Sequence, residues 1–325
     1  MDFSQRYLEY KSQIDDYLGR FIDESKPDTL YKPVRYVLAG GGKRIRPLLV
    51  MLSCEAVGGS AKESLHAGAA MEILHNFTLV HDDIMDNADA RRGRSTVHTR
   101  WDTNVAILSG DALLALAYRA LLRTNSPRIQ EISKVFTEGV VIVCEGQAYD
   151  KEFESRRRVG VEDYLLMIQK KTAAMVSVST QIGGLIGNAK EGELAALKNY
   201  GEMVGRAFQI QDDLLDVVAD EKKFGKAIGG DLVEGKKTFL LLEALKRAKG
   251  KDKAKLLGLM RNGGIARKDI GQFRRIYEQT GAIDAARKQV EHDIRSAREQ
   301  LIQMRDSDGR SMLGWLAEML MHRTF

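Results

Sequence analysis

The 325-residue sequence predicts an all-α protein, and three observations support this prediction. Apolar residues recur with the period of an α-helix along most of the chain. Segments that alternate like β-strands and are joined by hairpin turns are almost absent. Proline occurs only 4 times and aromatic residues make up 7% of the chain, which points away from a β-sandwich.

Turn signals divide the helical pattern into its elements. The clearest are the glycines at 40–42, 58–59, 229–230 and 263–264, together with the Arg91-Arg92-Gly93 turn. In chain order we expect helices near residues 3–22, 28–39, 45–57, 62–87, 104–122, 128–150, 161–169, 171–187, 191–219, 236–247, 251–260, 267–279, 282–304 and 309–322. Because no Pro-, Gly- or Ser-rich linker interrupts them, we expect a single all-helical domain over residues 1–325.

The composition is that of an ordinary globular protein, with 44% hydrophobic and 29% charged residues. This balance excludes a disordered chain, which could not bury enough apolar surface to offset its ordering entropy. The scarcity of cysteine and proline excludes disulfide scaffolds and collagen-like chains. A net charge of +5 gives no case for nucleic acid by itself, and we expect no nucleic-acid partner.

Several absences indicate the cellular location. The first twenty residues carry mixed charge and no apolar core, so we expect neither a signal peptide nor a transit peptide. No run of 18 uncharged apolar residues occurs, so we expect no transmembrane segment. Cys54 and Cys144 are far apart, and we expect both to be free thiols in the core of a protein from a reducing compartment. These expectations together indicate a cytoplasmic protein.

Two acidic clusters are the strongest functional signal. The segments DDIMD at residues 82–86 and DDLLD at residues 212–216 each follow an apolar helical pattern. On a helix, residues four apart lie one turn apart and about 40° from each other, so the first and last aspartates of each cluster share a face. Carboxylates placed in this way repel unless a cation lies between them. Mg²⁺ suits such a site because it completes its shell with water and substrate phosphates. A solvated helix face would explain one cluster, but two near-identical clusters favour a metal site.

Basic segments supply the complement to these carboxylates. The runs lie at residues 40–47 (GGGKRIRP), 91–93, 170–172 and 225–238. Arginine offers a planar fork to phosphate oxygens and lysine a point charge. One such run alone is more often a solvated surface, but together with two Mg²⁺-type clusters they indicate a diphosphate site.

Two further signals need interpretation. Residues 230–236 match most of a nucleotide-binding P-loop, but Lys237 stands where Ser or Thr is required and no strand precedes the segment. We therefore reject a nucleotide site. His75 lies seven residues before Asp82, two turns back on nearly the same helix face, which makes it a candidate diphosphate contact.

These segments resemble the trans-isoprenyl diphosphate synthases, or polyprenyl synthetases. GGGKRIRP, EILHNFTLVHDDIMD, ADARRG, QKKTA, GRAFQIQDDLLD and GKAIGGDLVEGKKT occur in the order seen in that family, over roughly residues 30–240. The resemblance implies the isoprenoid synthase fold, an all-α helical bundle around a central cavity, in a homodimer. It also implies a Mg²⁺-dependent prenyltransferase, with three ions per active site, that condenses isopentenyl diphosphate with an allylic diphosphate.

The resemblance further implies a role for each matching residue. The metal-binding residues are Asp82 and Asp86, for two ions that bridge the allylic diphosphate, and Asp212 for a third, with Asp83, Asp213 and Asp216 in support. The allylic diphosphate is held by Arg91, Lys171, Lys226 and Lys236. Isopentenyl diphosphate is held by Lys43, Arg46, His75 and Arg92. Thr172 and Gln209 present oxygens to the developing allylic cation and form the catalytic group with Lys171.

Physical chemistry agrees with these roles. Departure of the leaving group places negative charge on the diphosphate, where Mg²⁺ and fixed cations stabilise it. The remaining cation must be shielded from water, which an apolar cavity between helices provides. In the family the released diphosphate accepts the proton, which explains why no dedicated side-chain base is evident.

Rival functions make different demands on the sequence. A terpene cyclase shares the fold and the first acidic motif, but typically carries an Asn/Ser/Glu metal motif in place of the second. It also has no need for GGGKRIRP to hold a second diphosphate. A non-catalytic synthase-like subunit is expected to lose one acidic cluster, and a structural bundle needs neither. This chain carries both clusters.

Product length is assigned to Phe77 and Thr78. Phe77 lies five residues before Asp82, about 7.5 Å back along a helix and about 140° round from it. By resemblance, the bulky aromatic, the small residue after it and the lack of an insertion between Asp83 and Asp86 match archaeal-type geranylgeranyl synthases. The expected product is geranylgeranyl diphosphate (C20), and the alternative is farnesyl diphosphate (C15) or a mixture. On spacing alone, Phe77 could also be an ordinary core aromatic.

Overall fold

A computed structural model describes residues 2–219 and 228–321 of the chain. Its elements in chain order are α1 (Phe3–Arg20), α2 (Asp28–Leu38), α3 (Ile45–Ala56), α4 (Leu65–Met85), β1 (Ala90–Arg91), β2 (Arg94–Ser95), α5 (Val97–Arg100), α6 (Thr103–Leu121), α7 (Ile129–Ser155), α8 (Val161–Ile168), a π-helical turn (Gln169–Ala173), α9 (Ala174–Ile186), α10 (Glu191–Val218), α11 (Gly230–Val233), α12 (Phe239–Arg247), α13 (Gly250–Asn262), a 3₁₀ turn (Arg267–Asp269), α14 (Ile270–Gln279), α15 (Ala282–Ile302) and α16 (Asp308–Met321). The all-α prediction is confirmed.

The chain divides into two compact units. Unit 1 comprises Met1–Phe136, Ser179–Leu194 and Met304–Leu313, and unit 2 comprises Thr137–Val178, Ala195–Gln303 and Gly314–Phe325. The prediction of a single domain over residues 1–325 stays a prediction.

Unit 1 is built around helix α4. This helix packs against α3 and α6, and α2 packs against α6. Residues 67–74 of α4 are buried on every side, which is the pattern of a central helix rather than a surface one. The acidic cluster follows directly at the carboxyl end of α4, so a rigid core positions it.

Unit 2 has its own buried core. Helix α12 packs against α8, α13, α14 and α15. Its residues 239–244 are all buried. In α10, buried positions recur with helical spacing up to Val217, so the apolar face that anchors this helix runs through the second acidic cluster.

Two local features differ from the sequence prediction. The Arg91-Arg92-Gly93 turn is the tip of a two-stranded antiparallel ribbon in which Arg91 pairs with Arg94. Both central residues have positive φ, 53° at Arg92 and 72° at Gly93, as in tight hairpins. In addition, the helix break predicted at residue 170 is wrong, because a π-helical turn joins α8 to α9 without interruption.

Helix α6 bears on the prediction that no segment spans a membrane. It is long and apolar enough to do so by length and composition alone, with a mean hydropathy of 1.3 over 18 residues, of which 44% are buried. The core helix of a globular protein meets the same criterion, so this finding carries little weight.

The two cysteines are free thiols, as expected. Cys54 is buried, and burial raises its pKa to about 12. Cys144 is exposed, so its expected place in the core is wrong. It lies on the exposed side of α7 together with Val141 and Glu145, and a mixed face of this kind gives no sequence signal that the cysteine is exposed.

Candidate active site

The first acidic cluster lies where α4 ends. The backbone N–H of Asp86 donates to the carbonyl of Asp82 over 2.9 Å, so helical geometry continues through Asp86 and places these two residues one turn apart. Asp83 is buried and accepts a hydrogen bond of 2.6 Å from Nε of Arg91. Burial raises the pKa of Asp83, and Arg91 opposes this shift. Asp83 therefore anchors the ribbon that carries Arg91.

The glycine-rich segment before α3 is held by its central arginine. Arg44 has a φ of 53°, and its buried guanidinium donates to Glu72 over 2.5 Å and to Asp15 over 2.8 Å. Burial opposes the charge of Arg44, but the two carboxylates outweigh burial and raise its pKa. Lys43 beside it is exposed and Arg46 half-buried. Of the three cations in GGGKRIRP, Arg44 stabilises the loop.

Unit 1 brings together the residues predicted to hold isopentenyl diphosphate. Arg92 donates to the carbonyl of Gly41 in the glycine-rich segment. Burial lowers the pKa of His75 well below its usual value, and the charges of Arg46 and Arg92 lower it further. His75 is therefore a neutral imidazole at pH 7 that faces two cations, an arrangement that suits an incoming diphosphate.

Phe77 is a buried residue of α4 with a defined neighbour. Its ring meets that of His81 edge to face, with 4.9 Å between centroids and an interplanar angle of 64°. The His81 ring lies against the backbone of α6 at Gly110, where an added methyl group would overlap it. Thr78 donates from its hydroxyl to the carbonyl of His75 over 2.8 Å. The His81 ring thus packs against the Phe77 ring. It fits between Phe77 and α6 only because residue 110 is glycine.

The second acidic cluster lies in the last turns of α10. Asp213 is buried and accepts hydrogen bonds from the Tyr164 hydroxyl over 2.5 Å and from Nε2 of Gln209 over 3.0 Å. Burial raises its pKa to about 6, although these hydrogen bonds oppose the shift. Asp216 accepts from the backbone N–H groups of Gly230 and Asp231, at the start of α11. Both residues hold the helix end in place, and Asp212, which precedes them, is half-buried.

The π-helical turn carries Lys171 and Thr172. The Lys171 ammonium forms an ion pair of 2.5 Å with Asp150 in α7. The Thr172 hydroxyl donates to Oε1 of Gln209 over 2.8 Å. The amide of Gln209 in turn donates to Asp213, so one hydrogen-bonded chain runs from Thr172 through Gln209 to Asp213. This chain fixes the orientation of Thr172 and Gln209, the two residues whose oxygens are predicted to face the allylic cation. Wide helical turns of this kind are frequent at functional sites.

The remaining predicted phosphate ligands are lysines. Lys236 is about half exposed and forms an ion pair of 2.8 Å with Glu234. Lys226 lies outside the described residues.

The residues present fit Mg²⁺ when the substrate supplies part of its shell. Within residues 2–219 and 228–321, no group of three or more His, Cys, Asp or Glu side chains converges as a metal site. Asp82 and Asp86, one turn apart at a helix end, are two hard oxygen ligands on one face. Mg²⁺ commonly takes one or two carboxylates and fills its other positions with water and phosphate oxygens. A site that depends on a diphosphate substrate therefore needs no third protein ligand.

Comparison with known proteins identifies the family. The profile of the polyprenyl synthetase family matches residues 27–279. The chain belongs to this family. It is 39% identical to a short chain isoprenyl diphosphate synthase of Methanothermobacter thermautotrophicus, over 99% of this chain and 98% of that protein. It is 35% identical to a geranylgeranyl diphosphate synthase of Methanosarcina mazei, over 97% and 96%. The crystal structure of geranylgeranyl pyrophosphate synthetase from Pyrococcus horikoshii superimposes with a TM-score of 0.94 at 38% identity, covering 99% of this chain and 98% of that one.

Membership confirms two predictions made from the motifs. The fold is the isoprenoid synthase fold. The protein is a trans-prenyltransferase of the isoprenyl diphosphate synthase type.

The residues that support the site of this synthase could not be predicted from its motifs. Glu72, Asp150 and Tyr164 each hold a predicted site residue or its loop, yet none stands in a recognisable motif. Only Glu72 left a signal, because a carboxylate within an otherwise apolar helix is seldom buried unless it is paired.

Proposed function

We propose that this synthase condenses isopentenyl diphosphate with allylic diphosphates and releases geranylgeranyl diphosphate (C20). The observation that supports this product is the buried Phe77 ring, held by His81 and five residues before Asp82 on α4. By resemblance to the family, a rigid aromatic at this position suits a product of four isoprene units. The names of the Methanosarcina and Pyrococcus proteins agree with this length. Loss of the Phe77 ring would favour longer products. A side chain that entered the space for the growing chain would favour the C15 alternative.

The binding roles proposed for individual residues are supported by the geometry of each unit, except for that of Lys226, which lies outside the described residues. In unit 1, Lys43, Arg46, His75 and Arg92 bind isopentenyl diphosphate, which is supported by the hydrogen bond from Arg92 to the glycine-rich segment and by the nearness of His75 to Arg46 and Arg92. Asp82 and Asp86 bind Mg²⁺, and Arg91 binds the allylic diphosphate from the ribbon that Asp83 anchors. In unit 2, Asp212 binds a further ion, for a total of three, and Lys171, Lys226 and Lys236 bind the allylic diphosphate. Mg²⁺, when bound, supplies positive charge to the departing diphosphate.

The oxygens of Thr172 and Gln209 stabilise the allylic cation that forms during the reaction. Ionisation of the allylic substrate breaks its C–O bond, and the electron pair leaves with the diphosphate. The hydrogen bond between Thr172 and Gln209 and the anchoring of Gln209 on Asp213 hold their oxygens in fixed positions, where they stabilise the allylic cation. The double bond of isopentenyl diphosphate then attacks the cation, and the released diphosphate takes the proton lost from the new product.

We also propose that the synthase acts as a cytoplasmic homodimer. Exposed residues of α6 share one face, and this face includes Ile107 (42% exposed) and Leu108 (58% exposed). In α7, the exposed face includes Val141 (53% exposed). Large apolar side chains exposed at adjacent positions, as at Ile107 and Leu108, are costly in water, and a second copy of the chain would cover them. The single-domain organisation over residues 1–325 belongs to the same proposal.

Product analysis tests the proposed function. The purified protein is incubated with isopentenyl diphosphate, Mg²⁺ and each allylic starter in turn, and the dephosphorylated products are separated by chromatography. We expect C20 as the main product from the C5, C10 and C15 starters, and no product when EDTA removes Mg²⁺. A main product of C15 from the C5 and C10 starters would establish the farnesyl alternative. The absence of any elongation with Mg²⁺ present would overturn the proposal.

A further inference from the structure

Positive charge is concentrated in one segment of unit 2. Residues 246–275 contain eleven Lys or Arg against two Asp, a net charge of +9. The whole chain carries +5, so all other residues together carry −4. Ten of the eleven cations are exposed. This segment, which we call the basic face, spans the end of α12, helix α13, the 3₁₀ turn and the start of α14.

Most of these cations are not neutralised within the protein. In the part of the chain that the structure describes, Lys246 and Arg247 approach Glu243, and Arg274 approaches Glu278. The other cations of the basic face form no ion pair there. Uncompensated like charges repel each other and destabilise the folded chain, which gives this concentration of charge a cost. A partner of opposite charge would remove that cost.

Helix α13 combines this charge with an apolar strip. Leu256 and Leu259 point into the protein. By helical geometry the opposite side carries the apolar residues Ala254 and Leu257, three positions apart, and this strip ends one turn later at the exposed Arg261. Leu257 is 44% exposed. The lysines flank this strip, with Lys251 and Lys255 along one edge and Lys253 along the other. An exposed apolar line edged by lysines is the pattern of a helix that lies in a membrane interface.

We propose that the basic face is a docking surface for membranes rich in anionic lipids. The lysines would contact the phosphate headgroups while Leu257 enters the boundary of the acyl chains. Nucleic acid fits less well, because binding of single strands depends on exposed aromatic rings and the one aromatic residue of the basic face, Phe273, is buried. The surface would hold the synthase at the membrane, into which a long-chain product partitions. Only this last consequence rests on the proposed function.

Vesicle co-sedimentation tests this surface. The full chain is mixed with phosphatidylcholine vesicles containing either no phosphatidylglycerol or about a third of it, at low and high salt. We expect binding to the anionic vesicles only, weakened at least roughly tenfold at high salt, because screening shortens the range of the lysine charges. Binding that is equal on neutral vesicles, or absent from anionic ones at low salt, would overturn the proposal.

Matched charge reversals locate the surface. The triple variant Lys251→Glu, Lys253→Glu and Lys255→Glu should lose at least roughly tenfold in binding. A control triple variant, Lys62→Glu, Lys190→Glu and Lys288→Glu, changes net charge equally at exposed lysines outside the basic face and should bind within about twofold of the wild type. Equal losses in both variants would show that only net charge matters and reject the site.

Two further measurements separate the alternatives. Prenyl transfer without vesicles should be unchanged in both triple variants, so a failure to bind lipid is distinguishable from a failure of the proposed activity. Single-stranded RNA serves as the competitor. If it displaces the protein from vesicles and binds more tightly than lipid in the same buffer, the basic face is a nucleic-acid surface and the membrane proposal is wrong.

Discussion

The proposed product length depends on one side chain, the aromatic ring of Phe77. It is buried in α4 and meets His81 edge to face at 4.9 Å. Replacing Phe77 by Ala removes a rigid wall, and we expect products longer than C20, provided that neighbouring side chains do not fill the void. Chromatography of products from wild type and variant at identical substrate ratios measures the change. The control is Phe273→Ala, which truncates a buried ring in α14 and should leave the length unchanged. An unchanged distribution in the Phe77 variant would direct attention to Leu74.

Gly110 is predicted to control the same pocket from helix α6. A methyl group at this position would overlap the His81 ring, which must then move toward Phe77. We expect Gly110→Ala to narrow the pocket and to raise the share of C15 product. Adding His81→Ala removes the overlap and should abolish this shift. If the double variant keeps the short products of the single variant, His81 does not transmit the effect.

His75 leads to a prediction about pH. Its pKa in the folded protein is well below the value of about 6.5 expected in the unfolded chain. The unfolded state therefore binds the proton more readily, and the free energy of unfolding falls as the pH drops below about 6.5. His75→Gln removes this titration, so between pH 7 and pH 5.5 the variant should lose less stability than the wild type. Urea denaturation of the substrate-free protein at both pH values measures the difference, and equal losses would contradict a neutral, half-buried His75.

Helices α4 and α10 each present two aspartates one turn apart, and each helix is expected to contribute to the metal sites. Asp82→Asn or Asp212→Asn should lower turnover by roughly 10²-fold or more, because each removes a carboxylate that would hold Mg²⁺, whose positive charge stabilises the departing diphosphate. Steady-state assays over a range of Mg²⁺ concentrations provide the test. Asp89→Asn, an exposed aspartate just beyond the first cluster, is the control and should remain active. Near-normal turnover of either cluster variant would reject its role as a metal ligand.

Most helices could be predicted as elements, since apolar periodicity is a local property of the chain. Two features could not. The π-helical turn at Gln169–Ala173 keeps the helical pattern, so the sequence around Lys170 gives no sign that the turn widens instead of breaking. The wide turn packs close to α7 at Gly146, a contact between residues more than twenty positions apart. The ribbon at Ala90–Ser95 was missed because strands of two residues are too short to show alternation.

The assembly of the whole molecule is predicted from the exposed face of α6. Leu108→Asp places a charge in the proposed dimer interface and should convert the dimer to a monomer, as measured by light scattering coupled to size exclusion. Leu8→Asp, at an exposed leucine of α1, makes the same chemical change elsewhere and should leave the dimer intact. A wild-type protein that elutes as a monomer, or a Leu108 variant that stays dimeric, would exclude this interface.

The all-α class, the family and the helical faces of the two acidic clusters all follow from the amino-acid sequence. They depend on periodicity and on spacings of a few residues, which the covalent chain specifies. Only the tertiary structure decided which charged residues serve the fold. Arg44 lies between Lys43 and Arg46, which are predicted to bind substrate, but Arg44 itself is bound by Glu72, 28 residues away. Asp213 is bound by Tyr164, 49 residues away. Motifs do not encode such pairs, because they form only when packing brings distant helices together and burial makes an unpaired charge costly.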